Sequence, residues 1–121
     1  MEAEPTVVDD RAVVLQVLKF TATPGPRYRH EGDWSGQQFR EEYLEPHYLE
    51  AREAGKQLVV DLDGTEGYAS SFLEEAFGGL ARLHSIDEVL ATIQIQSSSP
   101  RKWYKEEVLE EYIPEARDPK D

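Results

Sequence analysis

Two adjacent serines, Ser70 and Ser71, stand where a polar, glycine-bearing stretch gives way to an apolar-periodic one. They are the hydroxyls best placed for chemistry. A serine at the start of a helix lies among unpaired N–H groups and the positive end of the helix dipole. A phosphate there is tolerated by the helix, yet adds up to ~2 negative charges to the face it presents. The plainer role is capping, worth about 1 kcal/mol, and Ser71-x-x-Glu74 has the spacing of a capping box. Ahead of the first expected helix, Arg27, Arg29 and His30 form one basic cluster. It could meet a phosphate or an acidic partner loop, or simply guard an edge strand with charge. Other chemistries lack their residues. His30, His47 and His84 are scattered without metal-ligand spacing. There is no cysteine, hence no thiol nucleophile, disulfide or zinc-thiolate site. No Gly-x-Ser-x-Gly elbow or phosphate loop occurs. Trp34 and Trp103 read as core or rim residues.

The elements that must hold these groups follow from periodicity. Residues 12–20, apolar and β-branched, read as a buried strand. Thr21 to Trp34 is a long loop rich in Pro, Gly and charge, of the kind that is functional or mobile, with Arg27-Tyr28-Arg29 as a short edge strand. Ser35 and Gln38 open a helix, Pro46 predicts a kink or break near Glu45, and Gly55 stops it. Leu58 to Asp63 reads as a central strand running into a loop marked by Gly64 and Gly67. The second helix starts at Ser70-Ser71 and buries Phe72, Ala76, Phe77, Leu80 and Leu83. Gly78-Gly79 within it costs about 1 kcal/mol per glycine against alanine, which suggests close packing on a neighbour, with a helix break as the alternative. Val89 to Gln96 reads as a third strand, and Ser98-Ser99-Pro100 opens a last helix with the stripe Tyr104, Val108, Leu109, Tyr112, Ile113. His84 reads as a favourable charge at a helix C-terminus.

The expected fold is α/β: a small mixed or mostly parallel sheet with helices packed against it. The 121 residues suit one domain, spanning 12–113 between a flexible N-terminus (1–11) and a flexible charged tail (114–121). The start of the chain has no apolar core of a signal peptide, and no apolar run reaches the ~20 residues of a membrane span. A cytoplasmic location is the expectation. A formal net charge of −12 argues against nucleic acid and anionic membranes as partners. Solubility alone, or a basic partner protein, fits better.

One motif resembles an enzyme's. Leu58-Val59-Val60-Asp61-Leu62-Asp63-Gly64-Thr65 is similar to the first motif of the haloacid-dehalogenase phosphatases. That resemblance implies Asp61 as nucleophile and Asp63 as acid/base on a magnesium-held phosphoryl group. The chemistry needs further carboxylates and a lysine. Lys102, Lys105 and Lys120 all lie on or after the last helix, and no further paired Asp sits at a strand end. A strand running into a turn produces the same letters.

A longer resemblance covers roughly residues 12–97. Asp61-Leu-Asp-Gly-Thr-Glu-Gly-Tyr-Ala-Ser-Ser-Phe-Leu-Glu-Glu-Ala-Phe-Gly-Gly-Leu80, with Gly25-Pro-Arg-Tyr28 and Ser35-Gly36-Gln-Gln-Phe39-Arg40 upstream, resembles the STAS-like domain of unknown function, a bacterial family related to anti-sigma-factor antagonists. The resemblance implies a partner switch. A histidine-kinase-like ATPase docks at a strand-end loop, phosphorylates the serine at the helix start, and the phosphate breaks the complex. Ser70 matches the phosphorylated serine and Ser71 the residue after it, while Ala69 and Phe72 stand where the antagonists usually carry Asp and Gly. The expectation is therefore a regulatory protein-binding module without catalysis or cofactor. Its phosphorylation candidates are Ser70 and Ser71. Its docking surface is the 64–72 loop and the 71–83 helix, with Asp63, Gly64, Gly67, Tyr68, Phe72, Glu74 and Glu75, and with Arg27 and Arg29. The alternatives are the Mg²⁺-dependent phosphatase and a structural subunit of a larger complex.

Overall fold

The computed structural model describes residues 6–9, 11–98 and 103–116. Strand β1 (Thr6–Asp9) pairs antiparallel with β2 (Ala12–Gln16). Strands β3 (Gln57–Asp61) and β4 (Ile93–Gln96) continue the sheet in parallel, in the order β1-β2-β3-β4. The expected small, mostly parallel α/β sheet is present, with β3 between its parallel neighbours. The expected flexible N-terminus over 1–11 is corrected in part. The β-branched run Thr6-Val7-Val8 lies a short turn upstream of β2 and makes an edge strand.

Gly36–Phe39, Arg40–Leu44 and Glu45–Ala54 run on as one helix, α1 (36–54), with a π turn at its second segment. Ser35 is its N-cap, accepting the Gln38 N–H at 3.0 Å. Gln38 does not complete the capping box, since its side chain reaches Glu42 instead. Pro46 neither breaks nor ends the helix. It has no N–H to give and would crowd the carbonyl four residues back. The π turn just ahead, where the Glu45 N–H donates to the Arg40 carbonyl, lets the helix pass. Gly55, at φ 70°, ends it in the left-handed conformation.

A second continuous helix, α2 (70–83), joins Ser70–Leu73, a π turn Glu74–Gly78, and Gly79–Leu83. Leu83, expected in its buried stripe, is 58% exposed, because the π turn rotates the last segment out of phase. Helix α3 (Ile86–Thr92) stands where a strand from Val89 was expected, so β4 begins only at Ile93. Ser85 accepts the Glu88 N–H at its start, and Val89 and Thr92, three residues apart, turn inward. The apolar run from Val89 is thus shared between a helix and a strand. Strand β2 likewise stops at Gln16, where a 3₁₀ turn (Val17–Lys19) follows. The last helix, α4 (104–112), joins Tyr104–Glu107 to a π turn, Val108–Tyr112. Pro100 lies outside the described residues. Of the tail expected from Pro114, Ala116 is buried, and the residues after it lie outside the described ones.

Alternation along the sheet produces one core. Leu58 and Val60 of β3 and Ile93 and Ile95 of β4 are buried, whereas Gln94 and Gln96 are exposed. Onto the apolar face pack Phe39, Leu44 and Tyr48 of α1, Phe72, Leu73 and Phe77 of α2, Val89 of α3 and Val108 of α4. The contact of α1 with α2 is close enough to exclude a side chain. A Cβ on Gly36 would overlap the Phe72 carbonyl oxygen, which is backbone and cannot give way. Among the described residues no helix is long and apolar enough to cross a membrane.

Gly36→Ala is therefore expected to destabilise the fold by about 1–3 kcal/mol. Urea unfolding checks it. A variant as stable as wild type would show that α1 and α2 are not held this closely.

Candidate functional site

Two places gather the polar side chains singled out from the sequence. The first is the loop leaving β3. The Asp61 carboxylate accepts the Asp63 N–H at 2.9 Å, and Asp63 accepts the Ser98 N–H at 2.8 Å. The backbone bond from Ser98 is the main reason the Asp63 carboxyl lies below its usual range. The loop is pinned again where the Glu66 N–H donates to the Ala22 carbonyl. Gly64 (φ 95°) and Gly67 (φ 127°) make the turns, and a Cβ on Gly64 would strike Leu18. Tyr68 is held at both ends: its hydroxyl donates to the Leu62 carbonyl at 2.8 Å, and its N–H donates to the Tyr104 hydroxyl at 3.1 Å. Burial, above all, pushes the Tyr68 phenol far above its ordinary value, so it stays protonated.

This loop delivers the serines to the first turn of α2. Ser70 is exposed and Ser71 half-buried. The cap position is Ala69, which has no side-chain acceptor, so the expected Ser71–Glu74 capping box does not form. Glu74 is drawn away by arginines. Phe72 is fully buried against Phe39 and Tyr68, with ring centroids 6.0 and 5.7 Å away. It is a core residue and offers nothing to a docking partner.

The second place is a cleft of about 430 Å³ between α1, α2 and the 21–34 loop. Arg40, in the π turn of α1, meets Glu75, in the π turn of α2, at 2.5 Å and also donates to the Glu75 carbonyl at 3.0 Å. Glu74 bridges Arg27 and Arg82, the latter at 2.6 Å. Burial would raise the Glu74 carboxyl, but the bonds from Arg82 and Arg27 outweigh it and hold the group below its usual range. Burial likewise opposes the Arg27 charge, and Glu74 more than restores it. Gly79 makes room for this network, because a Cβ there would come within 2.5 Å of Arg40 Nη1. Arg27 reaches the cleft because its loop caps α1. The Pro26 and Arg27 carbonyls accept the Gly36 and Gln37 N–H groups at 2.9 and 3.0 Å. That capping replaces the edge strand expected at Arg27-Tyr28-Arg29, and a 3₁₀ turn (Arg29–Glu31) follows.

The expected sites are thus divided. Asp63, Gly64, Gly67 and Tyr68 share the strand-end loop with Ser70. Arg27, Glu74 and Glu75 share the cleft, with Glu75 buried. Arg29 leaves its cluster and pairs with Glu41 and Glu42 at 2.9 and 3.1 Å. Trp34 and Trp103 are exposed, and Trp34 sits at φ 61°, rare for so large a side chain. His84 follows α2 as expected and bonds Glu45 at 2.7 Å. Arg40 and Arg82 escaped the sequence reading. The missed signal was phase: Arg40 recurs at four-residue spacing with Gly36, Leu44 and Tyr48, three buried positions. Among the described residues no three His, Cys, Asp or Glu side chains are placed to hold a metal ion.

A family model described as a STAS-like domain of unknown function matches residues 35–103, more than half the chain. The chain belongs to that family. The match takes in the Ser35 cap, the π turns of α1 and α2, the Asp61–Ser71 segment and β4. Neither the curated proteins nor the solved structures provide a match.

A group with a lowered folded-state pKa stabilises above its unfolded value and loses that contribution as the pH falls through the folded one. For Glu74 the unfolded value is near 4.5. The gap in thermal midpoint between wild type and Glu74→Gln is expected to be full at neutral pH and to close below that value. A gap that stays constant into acid would mean that the arginines do not hold the Glu74 carboxylate.

Proposed function

We propose that this STAS-like chain is a regulatory protein-binding module, similar in role to the anti-sigma-factor antagonists, that acts without catalysis. The partner docks on the 64–71 loop and the exposed side of the first turn of α2. Ser70 is the switch. The observation that carries this reading is the placement of Ser70: exposed, at the first residue of a helix, beside a loop tied down by Asp63, Glu66 and Tyr68. A rigid loop lowers the ordering cost of docking. A hydroxyl at a helix start whose cap residue has no acceptor leaves N–H groups able to receive a phosphate. That phosphate brings about −1.5 to −2 charges onto a face that a partner must approach closely.

The family resemblance supports a histidine-kinase-like ATPase as the partner and the source of the phosphate. Phe72 does not oppose this reading. It points into the core, so its size where antagonists carry Gly alters the packing of α2 rather than the docking face. Ser71, half-buried, is the less accessible hydroxyl.

Incubation of the purified chain with ATP and a pull-down from source lysate, followed by intact mass, tests the switch. The expected result is one phosphate on wild type and on Ser71→Ala, none on Ser70→Ala, and release of the captured ATPase on phosphorylation. A partner that stays bound whether or not ATP is present, with no phosphate on the chain, would reduce the serines to helix-start residues.

Non-catalytic action has its own check. Aryl-phosphate hydrolysis, with and without Mg²⁺, is expected at background for wild type and Asp61→Asn alike. Metal-dependent turnover lost in Asp61→Asn would make the chain a phosphatase.

A further inference from the structure

Among the described residues, the two buried charged side chains, Arg40 and Glu75, lie away from the serine, in the cleft between α1 and α2. Three arginines, Arg27, Arg40 and Arg82, line it with two glutamates, Glu74 and Glu75. Glu41, just outside the cleft, also pairs with Arg40 at 3.6 Å, so the three arginines stand against three glutamates in a chain of net charge −12.

Donors are in excess. Each guanidinium has five N–H groups. Glu74 takes one bond from Arg27 and two from Arg82, and Glu75 takes two from Arg40 through its carboxylate and carbonyl. Arg40 is 9% exposed, yet its Nε has no hydrogen-bond partner among the described residues. An unsatisfied donor on a buried cation is costly, and the Tyr48 hydroxyl in the core is a second unsatisfied group among the described residues. Arg40 and both glutamates sit in π turns, an irregularity that recurs at functional sites. At the rim, Tyr28 is 38% and Leu83 58% exposed, so apolar surface adjoins the guanidinium groups.

We propose that this cleft binds a carboxylate group, held by the unspent donors of Arg27, Arg40 and Arg82, with the apolar part of the ligand against Tyr28 and Leu83. A carboxylate matches the site in charge and shape. Its single negative charge is repelled less by the neighbouring glutamates than a phosphate of about −1.5 to −2 would be. The planar fork of arginine fits a carboxylate in two-point contact. The cleft already holds two such groups of its own. The ligand is either a free organic acid or an acidic side chain of a partner protein. The site stands apart from the serine switch, and its test involves neither ATP nor Ser70.

The test is an NMR titration of the whole chain, reading the arginine Nε–H resonances. The probes are benzoate, its neutral isostere benzamide, and a blocked dipeptide bearing one glutamate carboxylate. Benzoate is expected to shift the Arg27, Arg40 and Arg82 signals saturably while benzamide does not. Arg82→Gln weakens binding about tenfold or more, and Arg52→Gln, paired with Glu88 outside the cleft, leaves it unchanged. Saturation by benzoate alone identifies a free acid as the ligand. Saturation by the dipeptide as well identifies a partner's side chain. Because the decisive signals belong to wild type, misfolding of a variant cannot rescue the idea. It is overturned if no carboxylate saturates those resonances, or if benzamide acts as benzoate does.

Discussion

The pair that the rest of this structure depends on is Arg40 with Glu75. Both are buried, at 9% and 7% exposure, and each comes from a π turn of a different helix. A buried ion pair adds little over a well-packed apolar contact, because desolvation consumes most of the attraction. Losing one partner, however, strands a charge, at a cost of about 3–5 kcal/mol. The neighbouring sequence is arranged to keep the pair intact. Gly79 has no Cβ because Arg40 Nη1 occupies that space. Gly36 has none because the Phe72 carbonyl does. The 21–34 loop folds back to cap α1 and adds Arg27 to the same network.

Seen from that pair, α2 has a division of labour along its length. Its first turn carries Ser70 and meets the loop from β3. Its π turn carries both glutamates, and its last segment returns Arg82 to them. Ser70 and Glu74 are four residues apart, about one turn. A charge placed on the first would therefore be felt by the second and by the arginines it holds. The strand-end loop and the arginine cleft thus meet successive stretches of one helix.

The sequence was most legible where one signal had one reading. The strand at 57–61, the Ser35 cap, the Gly55 stop and the close packing of Gly78-Gly79 all came through, because alternation, capping and glycine chemistry are local. It misled where two signals overlapped. The run from Val89 to Gln96 holds enough apolar residues for a strand, but Ser85-x-x-Glu88 just upstream starts a helix that consumes the first half of it. Ser71-x-x-Glu74 has the same spacing and forms no box, since two arginines from elsewhere in the chain compete for Glu74 and win. Arg27 and Arg29, two residues apart, face opposite partners because the backbone turns between them to cap a helix.

By itself, then, the sequence determined the class of fold, the position of the central strand, the start of α2 at the serines and the family. Each of these rests on hydrophobic period or on residues adjacent in the chain. Only the tertiary structure decided which charges meet. The Arg40–Glu75 pair spans 35 residues and Arg27–Glu74 spans 47. Nothing in a local pattern distinguishes a charge that will be buried against a distant partner from one that stays in water. That choice is made when two helices approach closely enough to exclude solvent, and the glycines at their contact, rather than the charged residues, set how close that is.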